Sequence, residues 1–210
     1  MDGEAEAAAY ACADFSDSNQ AYVREVVESF PANLGQVVDL GCGPGDIAIR
    51  LSRAAGTIRI TAVDGSAAML ALARKAVQAA RLETRVRLVA GRLPGVDLGA
   101  RQFDLVLSKD MLHHLPDPQV LWSEVKRLGR PGAAVCVMDL CRPESPAAAH
   151  EIVERVSGGE HPLLKADFYN SLCAAFTAGE VRAQLAAAGL PLTVRQLTER
   201  HLCVKGRLPG

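Results

Sequence analysis

The chain has 210 residues, with 23 Lys+Arg against 24 Asp+Glu and a formal net charge of −1. That balance excludes a protein that grips polyanions through bulk charge. Hydrophobic residues make up 49% and aromatic residues 4%, so a largely disordered chain is excluded and the core must be aliphatic and alanine-rich. No apolar run approaches the roughly 20 residues of a membrane-spanning helix. The acidic start MDGEAEAAAY lacks the basic flank and apolar centre of a signal peptide.

In chain order, the first 18 residues are polar and Ala-rich and read as a loosely packed arm. Residues 19–30 carry Val23, Val26, Val27 and Phe30 at helical spacing. Residues 36–40 form a short apolar run that leads into a glycine-rich turn, and 46–53 read as a helix. Strands are expected at 58–63, 86–90, 103–108 and 133–139. Helices are expected at 66–80, with Ser66 as N-cap, and at 117–128, stopped by Gly129 and Pro131. Such alternation predicts a parallel sheet with helices on both faces. Helices at 145–156, 167–175 and 178–188 follow. Strands at 192–197 and 201–205, joined by Thr198, Glu199 and Arg200, must pair as an antiparallel hairpin. The expected fold is α/β, Rossmann-like and doubly wound, with a seven-stranded mixed sheet and a helical insertion after the fifth strand. It reads as one domain over 1–210: an arm and helix to residue 30, a core at 37–142, a helical cap at 143–190 and a terminal hairpin at 191–207.

The six cysteines (Cys12, Cys42, Cys136, Cys141, Cys173, Cys203) include no Cys-x-x-Cys pair and no accompanying His-x(3–5)-His. No metal site is expected, and reduced thiols in a cytoplasmic protein are.

Asp39-Leu40-Gly41-Cys42-Gly43-Pro44-Gly45-Asp46 lies between a strand and a helix. Glycines there let the backbone approach a ligand. The spacing G-x-G-x-G differs from the G-x-G-x-x-G that cradles a pyrophosphate. Asp39 and Asp46 would repel phosphate and suit a cationic ligand; a ligand-free tight turn is the other reading. Asp64 ends the second strand, 25 residues after Asp39. A carboxylate there can accept both hydroxyls of a ribose or merely cap the next helix.

These segments resemble the signature of class I S-adenosylmethionine-dependent methyltransferases. Residues 39–45 look like the family's glycine loop and 62–70 like its second motif. Residues 108–118 (SKDMLHHLPDP) resemble the fourth in its quinone-biosynthesis and small-molecule form, and 128–133 resemble the turn before the fifth strand. The resemblance covers residues 37–142. It implies S-adenosyl-L-methionine as cofactor, leaving S-adenosyl-L-homocysteine, and a small-molecule methyl acceptor. It further implies that Gly41, Cys42 and Gly43 pass under the methionine moiety, with Asp39 facing its amino group and Ser108 offering a carbonyl to it. Asp64 takes the ribose, and Gly65 and Met69 lie along the adenosine. Gly91, Arg92 and Leu93 occupy the adenine position. The family usually has an acidic residue where this chain has Arg92, which cannot accept a hydrogen bond, so backbone at Gly91 and Leu93 would serve instead.

His113 and His114 follow the fourth strand, at the edge where open α/β sheets bind ligands. Either can act on the acceptor as base or hydrogen-bond partner, or cap local structure. Arg142 can hold a carboxylate or phenolate of the substrate, or pair with Glu144. The resemblance implies that Tyr169 and Asn170, in the helical insertion, cover the substrate pocket. Rival readings are an aminopropyl-transferring enzyme, a cofactor-binding protein without turnover, and a nucleic-acid methyltransferase. The near-neutral charge and scarce aromatics oppose the last. The sequence leaves monomer and homodimer both open.

Overall fold

The computed structural model describes residues 15–30 and 35–210, so most of the expected N-terminal arm lies outside the described residues. Helix α1 (Ser16–Ser29) precedes β1 (Gln36–Leu40), α2 (Asp46–Ala54), β2 (Arg59–Asp64), α3 (Ala67–Ala79), β3 (Val86–Ala90) and β4 (Phe103–Lys109). A single 3-10 turn, Leu112–His114, leads to α4 (Gln119–Leu128) and β5 (Gly129–Leu140). Three helices follow, α5 (Pro146–Ser157), α6 (Pro162–Ala174) and α7 (Ala178–Ala188), then β6 (Thr193–Thr198) and β7 (His201–Arg207).

The seven strands form one sheet in the order β3-β2-β1-β4-β5-β7-β6. β7 runs antiparallel to both β5 and β6, and the other described pairings are parallel. The order in which strands are added reverses between the parallel neighbours β1 and β4. The carboxyl ends of these central strands therefore open a crevice, the place where such sheets bind ligands.

The central strands are apolar on both sides because both faces are covered. On β1 and β5, Val37, Cys136 and Met138 join a core with Tyr22, Val26, Ile47 and Leu51 from α1 and α2. Their neighbours Val38, Val135 and Val137 join the opposite core with Trp122, Val125, Val181 and Leu185 from α4 and α7. Trp122 is fully buried, and its indole N–H donates to Gln184 Oε1 at 3.1 Å. That bond satisfies the donor inside an otherwise apolar layer. A third, smaller core of Leu140, Ile152, Val153 and Leu172 seats α5 and α6 beside the sheet.

Most element boundaries shift by one to three residues from the sequence expectation, and three differences have a clear physical reason. β5 begins at Gly129 rather than 133. The register jumps from Phe103↔Gly129 to Leu105↔Ala134, so the segment with Pro131 and Gly132 (φ +76°) bulges out of the ladder instead of ending it. α6 begins at Pro162, five residues before the expected start. His161 accepts from the Leu163 N–H there, and proline is pre-shaped for the first helical position. The hairpin link is Glu199–Arg200, because Thr198 already pairs with His201. No helix among the described residues is long and apolar enough to cross a membrane.

Candidate active site

The glycine loop closes directly on β2. The N–H groups of Gly41 and Cys42 both donate to the Val63 carbonyl at 2.9 Å. Gly43 N–H donates to Asp64 Oδ2 at 2.8 Å, and Asp64 Oδ1 accepts from Ser66 N–H at 2.8 Å. Asp64 thus caps the entry to α3 and also staples the loop. Each carboxylate oxygen keeps a further lone pair. Gly43 has φ +52°, and a Cβ there would meet nothing within 4 Å. Gly41 (φ +75°) is different, because a Cβ would come within 2.6 Å of Met111 Sδ. The side chain over Gly41 is that of Met111, which sequence reasoning missed.

A cavity of about 590 Å³ opens on this loop. Asp39, Gly41, Cys42 and Gly43 form one side, Lys109 and Asp110 another, and Phe15, Ser16 and Asn19 of the α1 region a third. Asn19 Nδ2 donates to Asp46 Oδ2 at 2.8 Å, and Arg50 Nε donates to the same oxygen at 2.6 Å, which pins α1 to the start of α2. Asp39 is 1% exposed, and its Oδ2 has no hydrogen-bond partner. Burial, helped by the nearby Asp64 charge and opposed by Lys109, pushes its carboxyl up to about 7. A buried acceptor without a donor is rare and costly.

The remaining expected cofactor residues surround the loop without walling this cavity. Gly91 N–H donates to the Asp64 carbonyl at 3.0 Å. A Cβ on Gly65 would strike Arg92 Cγ at 2.7 Å, so Gly65, Gly91 and Arg92 converge at the carboxyl end of β2. Leu93 packs against the core that holds Trp122. Met69 is buried in the first turn of α3. Ser108 Oγ donates to the Leu40 carbonyl at 2.9 Å. The Ser108 carbonyl lies 3.2 Å from the hydroxyl of buried Tyr22, which also donates to the Cys136 carbonyl at 2.6 Å. Residue spacing offers no hint of that tyrosine's reach.

His113 and His114 occupy the 3-10 turn just beyond β4. They differ sharply. His113 Nδ1–H donates to Asp139 Oδ1 at 2.7 Å, and both side chains are almost fully buried. Asp139, near the end of β5, also accepts from the N–H of Leu112 at 2.7 Å and of Leu140 at 2.9 Å. Burial pulls the His113 pKa down, but the bond to Asp139 and its charge outweigh that, and the net direction is up. His114 is exposed, its ring 4.0 Å from that of His113 between centroids. Asp110 lies between the two regions, on the cavity wall and within electrostatic reach of His113 and His201.

The expected substrate residues are placed elsewhere. Arg142 pairs with Glu180 of α7 at 2.5 Å, not with Glu144. Glu180 is fixed there by the capping box it forms with Thr177. Tyr169 and Asn170 lie in a separate groove between α5 and α6, beside His150, Glu154 and Lys165. The Tyr169 ring packs edge-on against His150, 5.2 Å between centroids. These residues are not brought to the glycine-loop cavity. Among the described residues no cluster of three or more His, Cys, Asp or Glu side chains could hold a metal ion.

The family described as "Methyltransferase domain" matches residues 37–132, the stretch that holds the glycine loop, Asp64 and both histidines. Over that stretch the chain is similar to S-adenosylmethionine-dependent methyltransferases. A demethylmenaquinone methyltransferase of Lactiplantibacillus plantarum is 33% identical over 118 residues, 55% of this chain and 49% of that one. A trans-aconitate 2-methyltransferase of an Azoarcus species is 31% identical over 125 residues, 59% of this chain and 46% of that one. This chain thus spans about half the length of the curated relatives it matches. A solved S-adenosylmethionine-dependent methyltransferase from Aquifex aeolicus superposes over 98% of both chains with a TM-score of 0.74. At 18% identity that likeness shows the fold. The cofactor named with that solved structure is S-adenosylmethionine. The residues fit it: a cationic group would supply the donor that Asp39 Oδ2 lacks, and the open face of Gly43 leaves room for a ligand.

Proposed function

We propose that this protein methylates a small molecule whose nucleophilic atom gives up a proton, as a hydroxyl does, with His113 as the base. The observation that carries this reading is the buried His113–Asp139 pair at the carboxyl edge of the sheet. The cofactor supplies an electrophilic methyl group on a sulfonium. The chain's part is to align and desolvate, which can be worth roughly 7–11 kcal/mol. Asp39 takes the amino end and Asp64 the ribose, while Gly41, Cys42 and Gly43 leave the backbone flush with the ligand. Ser108, Gly65, Met69, Gly91, Arg92 and Leu93 support the rest of the cofactor through backbone and packing.

Asp139 holds Nδ1 of His113 protonated, so Nε2 is the nitrogen that accepts the proton. His114 borders the acceptor without a partner of comparable geometry. Arg142 is engaged by Glu180, and Tyr169 and Asn170 line a separate groove between α5 and α6, so this reading gives them no contact with the acceptor. The acceptor class rests on the relatives, whose names include quinone and small-acid methyltransferases. A net charge of −1 gives no support to a nucleic-acid substrate.

The test is methyl transfer from tritiated cofactor into a small-molecule extract, with wild type, His113→Gln and His114→Gln compared. A labelled product below 1 kDa, lost selectively in His113→Gln, is expected, since losing a general base costs roughly 10²–10⁴-fold. Equal rates in all three would contradict the base assignment.

A further inference from the structure

The turn between β6 and β7, Glu199–Arg200, stands outside the glycine-loop cavity but at the same edge of the sheet as His113. β7 runs antiparallel to β5, so His201 lies opposite Leu140 and Leu202 opposite Asp139, the partner of His113. The turn is held on three sides. Cys141 N–H donates to the Arg200 carbonyl at 2.9 Å, and Glu199 is ion-paired to Arg155 of α5. The Arg200 guanidinium lies over the ring of Phe168 of α6, 5.6 Å from its centroid. α6 in turn packs against the 3-10 turn that carries His113 and His114.

Arg200 differs from the other half-buried arginines. Among the described residues these are Arg50, Arg85, Arg127 and Arg142, and each has its guanidinium bonded to a carboxylate or to backbone carbonyls. The Arg200 guanidinium has neither an ion pair nor a hydrogen bond among the described residues. An aromatic face attracts the cation but gives its N–H donors no oxygen. Burial works against its charge, and Arg155 adds repulsion, while Glu199 and Asp110 favour the charge from a distance. A half-buried cation with its donors unspent is costly, and an anion is its complement.

No other group at this turn supplies the charge. His201 Nδ1 is 3.1 Å from Thr198 Oγ1, and burial pushes the ring's pKa down to about 4, so it is neutral near pH 7. Arg142, which the sequence offered as the carboxylate holder, is taken by Glu180. Asp110 and Glu199 already stand within electrostatic reach of Arg200, which favours a singly charged carboxylate over a doubly charged phosphate.

We propose that Arg200 binds a carboxylate carried by the methyl acceptor, its guanidinium fork taking both oxygens while His113 faces the hydroxyl that receives the methyl group. The proposal rests on the small-molecule reading above and narrows it to hydroxy acids. Transfer to the hydroxyl leaves the carboxylate untouched, so the product stays anionic.

A small-molecule extract, split on an anion exchanger at about pH 7, supplies two probes: the retained acidic fraction and the unretained one. Each is offered separately with tritiated cofactor to the full chain. Wild type is expected to label the acidic fraction, and the labelled product to be retained on the same resin. Prior treatment of that fraction with alkaline phosphatase is expected to leave labelling unchanged. Arg200→Gln is expected to need roughly 10–100-fold more of the acidic fraction for half-maximal rate, the size of a lost hydrogen bond to a charged group, with S-adenosylhomocysteine affinity unchanged. Arg200→Lys, which keeps the charge without the fork, is expected to fall between. Label in the unretained fraction alone would overturn the proposal without needing any variant to fold. So would labelling lost to phosphatase, or a product no longer retained, which would mean that the carboxylate itself was methylated. Unchanged demand for the acidic fraction in Arg200→Gln would overturn the role of Arg200. An acidic fraction labelled at full rate by His113→Gln would contradict the base assignment while supporting the carboxylate. Wild type labelling neither fraction would overturn the small-molecule reading, and the Arg200 proposal with it.

Discussion

The carboxylate of Asp64, at the end of β2, accepts the N–H of Gly43 across a gap of 21 residues in sequence, at 2.8 Å. The second strand thereby fixes the shape of the glycine loop that follows the first. The same carboxylate also caps the approach to α3 through Ser66 N–H. Asp64→Ala removes an acceptor from both N–H groups and the proposed partner of the ribose. It is expected to weaken S-adenosylhomocysteine binding by about 1.5–3 kcal/mol and to lower the melting temperature as well. Asp64→Asn, which keeps one acceptor oxygen, falls between. Calorimetric titration beside thermal melting separates the two effects. Lost stability with unchanged affinity would leave Asp64 as a cap alone.

Gly43 combines a left-handed backbone with open space where a side chain would go. Gly43→Val carries a conformational cost of roughly 1–2 kcal/mol and fills the ligand's side of the loop. Cofactor binding is expected to vanish while a folded protein remains, as seen by equilibrium dialysis and circular dichroism. Retained binding would remove the loop from the site.

Asp39 gives the site a pH dependence. Its carboxyl, at about 7 in the fold, sits above the 3.8 of an ordinary aspartate, because it is buried and faces Asp64. Between about pH 4 and 7 the folded chain holds a proton that the unfolded chain has lost. Stability from this group therefore falls as pH rises through that window. An ammonium beside Asp39 favours the ionised form, so ligand binding expels the proton. S-adenosylhomocysteine affinity is expected to rise with pH toward 7, by up to about tenfold per unit, and then to level off. Asp39→Asn should flatten both the affinity profile and the stability profile. A persistent slope in that variant would assign the proton to another group.

The sheet was legible because its strands are continuous apolar runs, and the loop because three glycines and two aspartates stand at fixed places in a strand-to-helix turn. The side-chain pairings that define the site were not legible. Tyr22 meets the Ser108 carbonyl across 86 residues, His113 meets Asp139 across 26, and Arg142 meets Glu180 across 38. Each is set by strand order and by the angle at which a helix returns to the sheet, which residue spacing does not encode. Glu144 was the acid nearest Arg142 in sequence, but α7 delivers Glu180, held in place by its capping box. Lys109 and Asp110 received no role from the sequence; the burial of Lys109 and the left-handed backbone of Asp110 on the cavity wall appear only in the fold.

His113 and His114 are adjacent in sequence and unequal in structure, and that inequality bears most directly on the proposed chemistry. The decisive measurement is the pH profile of methyl transfer from labelled cofactor, for wild type and His113→Gln, with S-adenosylhomocysteine affinity recorded on the same preparations. His113 must be neutral to take a proton, and Asp139 raises its pKa. The account therefore predicts that wild-type turnover climbs with pH through an acid limb above the ordinary histidine value of about 6.5. It predicts that His113→Gln loses about 10²–10⁴-fold in turnover, with S-adenosylhomocysteine affinity within about twofold of wild type. Wild-type turnover in His113→Gln, with the acid limb intact, would contradict it.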